Sequence, residues 1–328
     1  MDVVHAEEPH PTDAGSGLRA VTFKEKLVPA SGSPLTPGEP ASDPGTPEAH
    51  FSIVVPALNE ASYIGECLAS LRSQDYSGPI DVVVVDNNST DDTSAVARSH
   101  GASVVFESEP GVCFARQAGT AIAEGDFVVS TDADTTFDRG WLSRIYRRFQ
   151  DRPELVAVCG PCRFVDAPWW GRLYTILLFG TVHLLYLVTG RVFYASATNI
   201  AFRRSAWTGY DTHMTQGGDE FGLLRRLRSQ GKIAFDYGNP TYTSSRRLHR
   251  GLAYNLCVTC FYYYLTAYVL NRITGRRLMG SAPEIREQGG DLARRAAQVR
   301  RHWRPAVSAL VVTVFAIFLA MRLGVDIA

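Results

Sequence analysis

The sequence has no excess of charge of either sign. Its 328 residues include 33 Lys and Arg and 33 Asp and Glu, which gives a formal net charge of zero at pH 7. Nucleic-acid-binding domains usually carry a clear basic excess, so we expect no nucleic-acid partner. The arginines cluster in the C-terminal half, which indicates a negatively charged surface or ligand there.

The first 50 residues lack the apolar run of a signal peptide. They hold eight of the 17 prolines, with Ser, Gly, Thr and Glu between them. A segment of this composition cannot bury enough apolar surface to offset the entropy cost of ordering it. We therefore expect residues 1–50 to form a disordered cytoplasmic tail.

Cysteine is scarce, but four of the six cysteines form two CxxC pairs, CGPC at 159–162 and CVTC at 257–260. Such pairs can bind zinc or act as a redox motif. The first pair ends a Val-rich strand with no thioredoxin-like pattern around it, and the second lies in an apolar, Tyr-rich run. We expect buried free thiols in a reducing compartment.

From residue 51 onward, short apolar runs alternate with segments of helical periodicity. FSIVVPA, IDVVVVDNNS, ASVVFES and DFVVSTDAD are the predicted strands. This alternation predicts an α/β fold with a mostly parallel, doubly wound sheet. Ligands of such sheets bind beyond the carboxyl ends of the strands, so we expect the polar residues there to converge on one crevice. They are Pro56, Asp86, Glu107 and Asp132.

Three later segments are strongly apolar. Residues 305–322 are long enough to form a transmembrane anchor, and the arginines before them predict that this flank lies in the cytoplasm. Segments 173–190 and 252–271 are predicted to be interfacial or re-entrant helices. A single crossing of the membrane by segment 173–190 would divide the predicted domain between the two sides of the bilayer. A single crossing by segment 252–271 would leave a basic loop outside. Buried core helices are the alternative. The chain is therefore predicted to consist of a disordered tail (1–50), an α/β domain (51–250), an interfacial apolar helix with a basic linker (251–304) and a transmembrane anchor (305–322).

Asp132 and Asp134 stand one residue apart just after the fourth predicted strand. Two carboxylates in a turn beyond a strand can point at one ion, and their hard oxygens suit Mg²⁺ or Mn²⁺. The alternative is a solvated turn, since a lone D-x-D pattern is common.

Four ordered motifs carry a resemblance to a known family. They are VVPALNEASYI at 54–64, VVVVDNNSTDDT at 82–93, GVCFARQAGTAIAEGDFVVSTDADT at 111–135 and GGDEFGLLRRLRSQGK at 217–232. Together they resemble the inverting family 2 glycosyltransferases, which have the GT-A fold. The resemblance covers about residues 51–247. It implies a nucleotide-diphosphate sugar donor, a divalent metal and a one-step displacement at the anomeric carbon.

The resemblance also implies roles for individual residues in binding the donor. The diphosphate would be contacted by Arg116 and by Arg246 and Arg247, although lipid headgroups are an alternative for the last two. Asp132 and Asp134 would hold the metal, which stabilises the charge on the leaving diphosphate. The remaining donor-binding residues, on the nucleoside side and at the start of a helix, would be Pro56, Ala57, Asn59, Glu60, Asp86, Asn88 and Gly111.

The resemblance places the catalytic base, which takes the proton of the acceptor hydroxyl, at Asp219 or Glu220. The two acids stand in the reverse of the family's order: alignment on Arg226 and Leu227 points to Glu220, whereas residue type slightly favours Asp219. Both are alternatively acids that stabilise a helix start. Asn199 is expected to face the acceptor or the donor sugar.

The sequence therefore predicts a membrane-bound enzyme with a cytoplasmic catalytic domain. It would transfer a sugar to a hydroxyl of a lipid-type or cell-envelope glycan acceptor, with inversion. A processive polysaccharide synthase is one alternative, although the Q-x-x-R-W motif of those enzymes is absent. A non-catalytic membrane protein that binds nucleotide sugars is the other.

Overall fold

The computed structural model of the chain describes residues 48–165, 167–212, 219–255, 257 and 266. Residues 1–47 of the predicted tail, most of segment 252–271, the basic linker and the predicted anchor at 305–322 lie outside these residues. Their predicted structures therefore stay predictions. His50, which was assigned to the tail, is instead tied to the domain, because its backbone N–H donates to Asp126 Oδ2 at 3.0 Å. The described residues form an α/β fold, as the alternating pattern predicted.

A seven-stranded sheet forms the centre of the fold. Its strands are arranged in the order β3-β2-β1-β4-β8-β6-β9. The four strands β3, β2, β1 and β4 run parallel, β8 is antiparallel to both of its neighbours, and β9 pairs parallel with β6. In chain order the strands are β1 (Phe51–Ala57), β2 (Ile80–Asp86), β3 (Ser103–Phe106), β4 (Phe127–Ser130), β6 (Leu155–Cys159), β8 (Ile200–Arg203) and β9 (Lys232–Phe235).

A second, three-stranded sheet has the order β5-β10-β7. Its strands are β5 (Thr135–Phe137), β7 (Cys162–Val165) and β10 (Thr241–Ser244). Strand β5 follows the D-x-D turn directly, and Thr243 of β10 pairs with Thr135 of β5. This small sheet therefore brings the chain around residue 244 next to Asp134, more than one hundred residues earlier.

Helices cover both faces of the large sheet, because β1, β2 and β4 are apolar on both sides. One core cluster contains apolar residues of α1 (Ile64–Arg72), α2 (Thr93–Ser99) and α4 (Trp141–Asp151). The other contains residues of α3 (Val112–Ile122), α5 (Trp169–Thr189) and α6 (Asp219–Gln230). Two 3₁₀ turns, Arg204–Ala206 and Leu248–Arg250, and the short helix α7 (Leu252–Tyr254) complete the described elements.

Helix α5 covers most of segment 173–190 and is long and apolar enough, by length and composition alone, to cross a membrane. A buried core helix was the alternative for this segment. Only part of one side of α5 is buried, and most of its large apolar side chains are exposed. Most of the surface of α5 is therefore not buried in the core, and the alternative of a buried core helix is wrong for this segment.

Gly119 sets how closely α3 approaches the sheet. A Cβ at this position would lie 2.5 Å from Cγ1 of Val54 and 2.7 Å from Cγ2 of Val85, both in strands. Replacing Gly119 with alanine should destabilise the fold by about 1–3 kcal/mol, because overpacking here outweighs the better helix propensity of alanine. Denaturant unfolding of the two proteins would measure this difference.

Gly180 provides the matched control, because a Cβ there meets no atom within 4 Å. Gly180→Ala should leave the free energy of unfolding unchanged or raise it by up to about 1 kcal/mol. Equal stability of the Gly119→Ala and Gly180→Ala proteins would contradict the close packing of α3 on β1 and β2.

Candidate active site

The carboxyl ends of β1, β2 and β4 lie at one edge of the large sheet. Residue pairing aligns Ala57 with Asp86, and Val54 with Ser130, so the three strands end near one another. The loops that follow carry Glu60, Asn88 and Asp132. The structure thus places the residues after these strands along one edge, as the parallel pattern predicted.

Asp132 lies beside Arg116 at this edge. The Arg116 Nη2 atom is 2.5 Å from Asp132 Oδ1, and Arg116 Nε donates to the Ser130 hydroxyl at 3.1 Å. The arginine side chain is 4% exposed and the aspartate 36%. The guanidinium is therefore held at a fixed angle from within the protein, while the carboxylate faces the crevice. The sequence predicted both residues for this site.

Asp134 lies deeper and meets Arg246, which follows β10. Arg246 Nη2 is 3.1 Å from Asp134 Oδ2, and the Thr243 hydroxyl donates to Asp134 Oδ1 at 3.2 Å. Arg246 also donates to both carboxylate oxygens of Glu60, at 2.8 and 2.6 Å, and lies 5.0 Å from the centre of the Tyr63 ring. A two-point pair of this kind fixes the plane of the guanidinium.

The sequence did not predict the ion pair between Glu60 and Arg246, because the resemblance assigned Glu60 to the nucleoside pocket. Glu60 and Arg246 are 9% and 15% exposed and are separated by 186 residues in the chain. Only the small sheet, which brings the end of β10 to the D-x-D turn, makes this contact possible. No local sequence pattern could have indicated it.

Burial makes Asp134 hard to ionise. It raises the pKa of Asp134 to about 6; Arg246 works against this rise, whereas Asp132 and Glu60 add to it. Arg247, which is exposed at the start of the 3₁₀ turn, also lowers the pKa of Asp134. A further cation beside Asp134 would favour its ionised form in the same way.

The neighbouring carboxylates of Asp132 and Asp134 and the type of their donor atoms fit a divalent cation. Carboxylate oxygens are the ligands that Mg²⁺ and Mn²⁺ prefer, and Asp132 is accessible from the crevice. Asp134 would provide the second carboxylate if Arg246 moved away from it. Arg246 would then stay bound to Glu60, its other partner. Within the described ranges, His, Cys, Asp and Glu side chains form no ready-made group of three or more that could hold a metal.

The loop after β2 is locked to the loop after β1. Asp86 is buried at the end of β2, and its Oδ1 accepts the backbone N–H of Ser89 at 2.8 Å. Asn59 Oδ1 accepts the backbone N–H of Thr90 at 2.6 Å. Asn59 and Asn88 have positive φ angles of 53° and 70°, a conformation that asparagine tolerates better than most residues. The predicted nucleoside residues thus shape a pre-formed loop pair.

Pro56 and Ala57 are buried within the last two positions of β1, paired with Val85 and Asp86. Their backbone and small side chains form part of the carboxyl edge of the sheet. Gly111 precedes α3 with a φ of 139°, which favours glycine. Its N–H donates to Asn87 Oδ1 at 2.7 Å, so the start of α3 is tied to the end of β2.

Asn87 is a residue that the sequence analysis missed. It is 4% exposed, and its Nδ2 donates to the backbone carbonyls of Glu107 and Glu109 at 2.9 and 2.7 Å. Together with the bond from Gly111, these contacts join the ends of β2 and β3 to the start of α3. The run of polar residues after β2 was the available signal, but it did not separate Asn87 from its neighbours.

Asp219 begins α6 and Glu220 follows it. The buried residues Leu223, Leu224 and Leu227 hold this helix against the sheet. Residues 213–218, which include His213, lie outside the described ranges. The structure therefore places both acids in the first turn of a helix, as the sequence predicted.

Asn199 has a structural role, not the substrate-facing one expected. It is 2% exposed, its Nδ2 donates to the carbonyls of Pro161 and Asn239, and its Oδ1 accepts from the Trp141 indole. A side chain with these buried partners cannot also contact a sugar. Cys159 and Cys162 are buried free thiols, as predicted. Cys257 is a free thiol as well, but it is only partly buried, so the prediction of burial was wrong for this residue.

Comparison with known proteins identifies a domain of a known family. The model of "Glycosyl transferase family 2" matches residues 52–208. An uncharacterized glycosyltransferase of Mycobacterium tuberculosis is 35% identical over 128 residues, which cover 39% of this chain and 56% of that protein. The 4,4'-diaponeurosporenoate glycosyltransferase of Staphylococcus aureus is 38% identical over 95 residues, 27% of this chain and 25% of that protein.

The N-acetylglucosaminyltransferase of Azorhizobium caulinodans is 34% identical over 101 residues, 28% of this chain and 25% of that protein. The chain thus spans little more than half the length of the mycobacterial relative. The crystal structure of S. aureus TarS, residues 1–349, aligns with this chain with a TM-score of 0.50 and 19% sequence identity. The alignment covers 67% of this chain and 65% of that one, and it shows a similar fold. The chain carries a glycosyl transferase family 2 domain over residues 52–208, and its described residues have the GT-A fold.

Proposed function

We propose that the protein transfers a sugar from a nucleotide-diphosphate donor to a hydroxyl of a lipid-type or cell-envelope glycan acceptor, with inversion, at the cytoplasmic face of the cell membrane. The observation that carries the proposal is the cluster of Glu60, Asp132 and Asp134 with two arginines at the carboxyl edge of the sheet. Such an edge binds nucleotides in open α/β folds.

The two arginines suit the donor diphosphate. Arg116 and Arg246 present guanidinium groups whose orientation is held by Ser130 and Glu60, so little side-chain entropy remains to be lost on binding. Charge-assisted bonds from such groups strengthen as negative charge grows on the leaving diphosphate. Arg247 adds positive charge from the exposed side of the same turn.

Asp132 and Asp134 would hold a divalent cation. When bound, Mg²⁺ or Mn²⁺ supplies Lewis-acid stabilisation of the diphosphate leaving group. The residues of this chain determine where that cation can lie, because Asp132 faces the crevice and Asp134 is anchored by Thr243. Movement of Arg246 away from Asp134 would leave the guanidinium bound to Glu60 and pointing at the same phosphates.

The acceptor hydroxyl would lose its proton to Asp219 or Glu220. Direct attack on the anomeric carbon from the side opposite the diphosphate gives inversion in a single displacement. A carboxylate at the start of α6 serves as base if it comes within hydrogen-bond reach of the hydroxyl. The S. aureus relative whose name gives a 4,4'-diaponeurosporenoate acceptor supports a lipid-type acceptor for this chain.

A transfer assay with the full chain in membranes tests this proposal. Membranes that contain the protein are incubated with radiolabelled UDP-, GDP- or TDP-sugars and Mn²⁺, and label is counted in the solvent-extracted lipid and in the residual glycan. We expect label in one fraction, from one donor, as a single added sugar. The isosteric variants Asp219→Asn and Glu220→Gln identify the base, because only the loss of the base should lower turnover by about 100-fold or more.

Long products would instead indicate a processive synthase. Metal-dependent nucleotide binding, measured by calorimetry, without transfer to any acceptor fraction would indicate a non-catalytic binding protein. Either result would overturn the proposed single transfer.

A further inference from the structure

Helix α5 presents a continuous apolar face outward. Six large apolar side chains are 58–75% exposed and recur at helical spacing, so they lie on one side of the helix. Large contiguous apolar patches on a protein surface mark sites of interaction. The six residues are Trp169, Ile176, Leu177, Leu184, Leu187 and Val188.

The opposite side of α5 is packed against the catalytic domain from its first turn to its last. At the first turn, a Cβ on Gly171 would lie 2.5 Å from the Leu248 side chain. In the middle, the ring centroids of Phe179 and Phe235 are 6.4 Å apart. In the last turn, Arg152 donates to the Tyr186 hydroxyl at 3.2 Å.

These contacts exclude a transmembrane orientation of α5 in the folded domain. A helix of 21 residues is about 30 Å long, which is enough to span a bilayer. However, Phe235 and Arg152 belong to the same folded domain as the active site, and they would have to enter the bilayer with the helix. Only an orientation parallel to the membrane surface exposes the apolar face to lipid while the packed face stays on the domain.

The charges around α5 favour a bilayer with anionic lipids as the occupant of this face. Residues 167–210 contain no Asp or Glu. The exposed arginines Arg172 and Arg191 stand near the two ends of the helix. Tryptophan and tyrosine, which prefer the membrane interface, occur here as Trp169 and Tyr174, 75% and 40% exposed. A face that lacks acids, is basic at both ends and carries interfacial aromatic residues matches an anionic membrane surface.

We propose that α5 lies flat in the cytoplasmic leaflet of an anionic bilayer and is the surface by which the catalytic domain docks. This deepens the membrane location in the proposed function by assigning it to named residues. Leu248, which packs on Gly171, follows Arg246 by two residues. The docked helix therefore holds the diphosphate-binding end of the active site close to the lipid surface, where a lipid acceptor is within reach.

Site-directed spin labelling of the full chain tests the proposal. Nitroxides are placed on the outward face with Leu177→Cys and Leu184→Cys, and at a control position with Ile122→Cys, a residue 49% exposed at the end of α3. The labelled proteins are reconstituted into vesicles of phosphatidylcholine with a minority of phosphatidylglycerol. Accessibility to oxygen and to a water-soluble nickel complex is then measured, and the unsubstituted protein treated with the same reagent gives the background from native cysteines.

The expected result is mobile labels at 177 and 184 that favour oxygen over the nickel complex, and a label at 122 that favours the nickel complex. Preference for the nickel complex at 177 and 184 would overturn the proposal, because that face would then lie in water. Immobilised labels shielded from both reagents would also overturn it, because protein would cover the face, either another segment of this chain or a second copy. Vesicle flotation reports membrane binding separately, so failure of this inference and failure of the membrane location remain distinguishable.

Discussion

Replacing Asp134 with alanine should reduce sugar transfer by about 100-fold or more and abolish its dependence on Mn²⁺. The carboxylate is anchored by Thr243, lies 3.1 Å from Arg246 and is one of two residues proposed to hold the cation. Stabilisation of a leaving diphosphate by a bound metal contributes several kcal/mol, and each 1.36 kcal/mol corresponds to a tenfold change in rate. Initial rates with labelled donor, measured over a range of Mn²⁺ concentrations, would show the effect.

Asp138→Ala is the matched control for this experiment. Asp138 lies a few residues further along the chain, is 49% exposed, and its pair with Arg144 is long at 3.6 Å. Its loss should leave the rate within about twofold, because exposed ion pairs contribute little. Wild-type turnover and unchanged Mn²⁺ dependence in Asp134→Ala would show that Asp134 takes no part in metal binding.

Replacing Arg246 with methionine should lower the free energy of unfolding of the metal-free protein by about 3–5 kcal/mol. The reason is that Glu60 and Asp134, which are 9% and 11% exposed, would lose the guanidinium that both of them contact. Removal of one partner from a buried ion pair leaves charge without compensation in a poorly solvated place. Chemical denaturation followed by circular dichroism would measure the change, and donor binding should weaken in parallel.

The pH dependence of this loss gives a second readout. The raised pKa of Asp134, about 6, means that the folded protein binds its proton more tightly than the unfolded chain does, so stability falls as pH rises through the interval from about 4 to 6. Arg246 lowers that pKa, and its removal should raise it further. The destabilisation by Arg246→Met should therefore be larger at about pH 8 than at about pH 5.

Lys232→Met provides the control for both measurements. Lys232 lies 3.9 Å from Glu154, and the two side chains are 70% and 45% exposed. Its removal should cost no more than about 1 kcal/mol. Equal losses for the Lys232 and Arg246 variants would show that the Glu60–Arg246–Asp134 cluster has no special role in stability.

The sequence predicted which residues lie along the carboxyl edge of the sheet, because that placement depends on local order. Parallel strands place their carboxyl ends at one edge, so residues after β1, β2 and β4 must lie near one another once the strand order is known. Asp132 and Arg116 were both predicted, and they form an ion pair. Their separation of 16 residues spans a single helix and a single strand, which short-range patterns describe adequately.

Other parts of the site depended on contacts between distant segments. The pairing of Glu60 with Arg246, the role of Asn87 in joining three loops, and the burial of Asn199 between Pro161 and Asn239 follow from which strands become neighbours. Hydrophobic periodicity shows that a strand exists but not which strand it pairs with. The small sheet, which combines β5, β7 and β10, was not predicted for that reason.

The sequence by itself determined the α/β class, the parallel half of the sheet, the buried thiols at 159 and 162, and the resemblance to the family 2 glycosyltransferases, because strand alternation, apolar runs and short motifs are local properties. Only the tertiary structure decided what faces the two aspartates of the D-x-D turn: Arg116 for Asp132, and Arg246 with its partner Glu60 for Asp134. It also decided that α5 is packed on one side and exposed on the other. Ion pairs and exposed faces depend on which distant segments meet, and that is settled when the two sheets and their helices pack together.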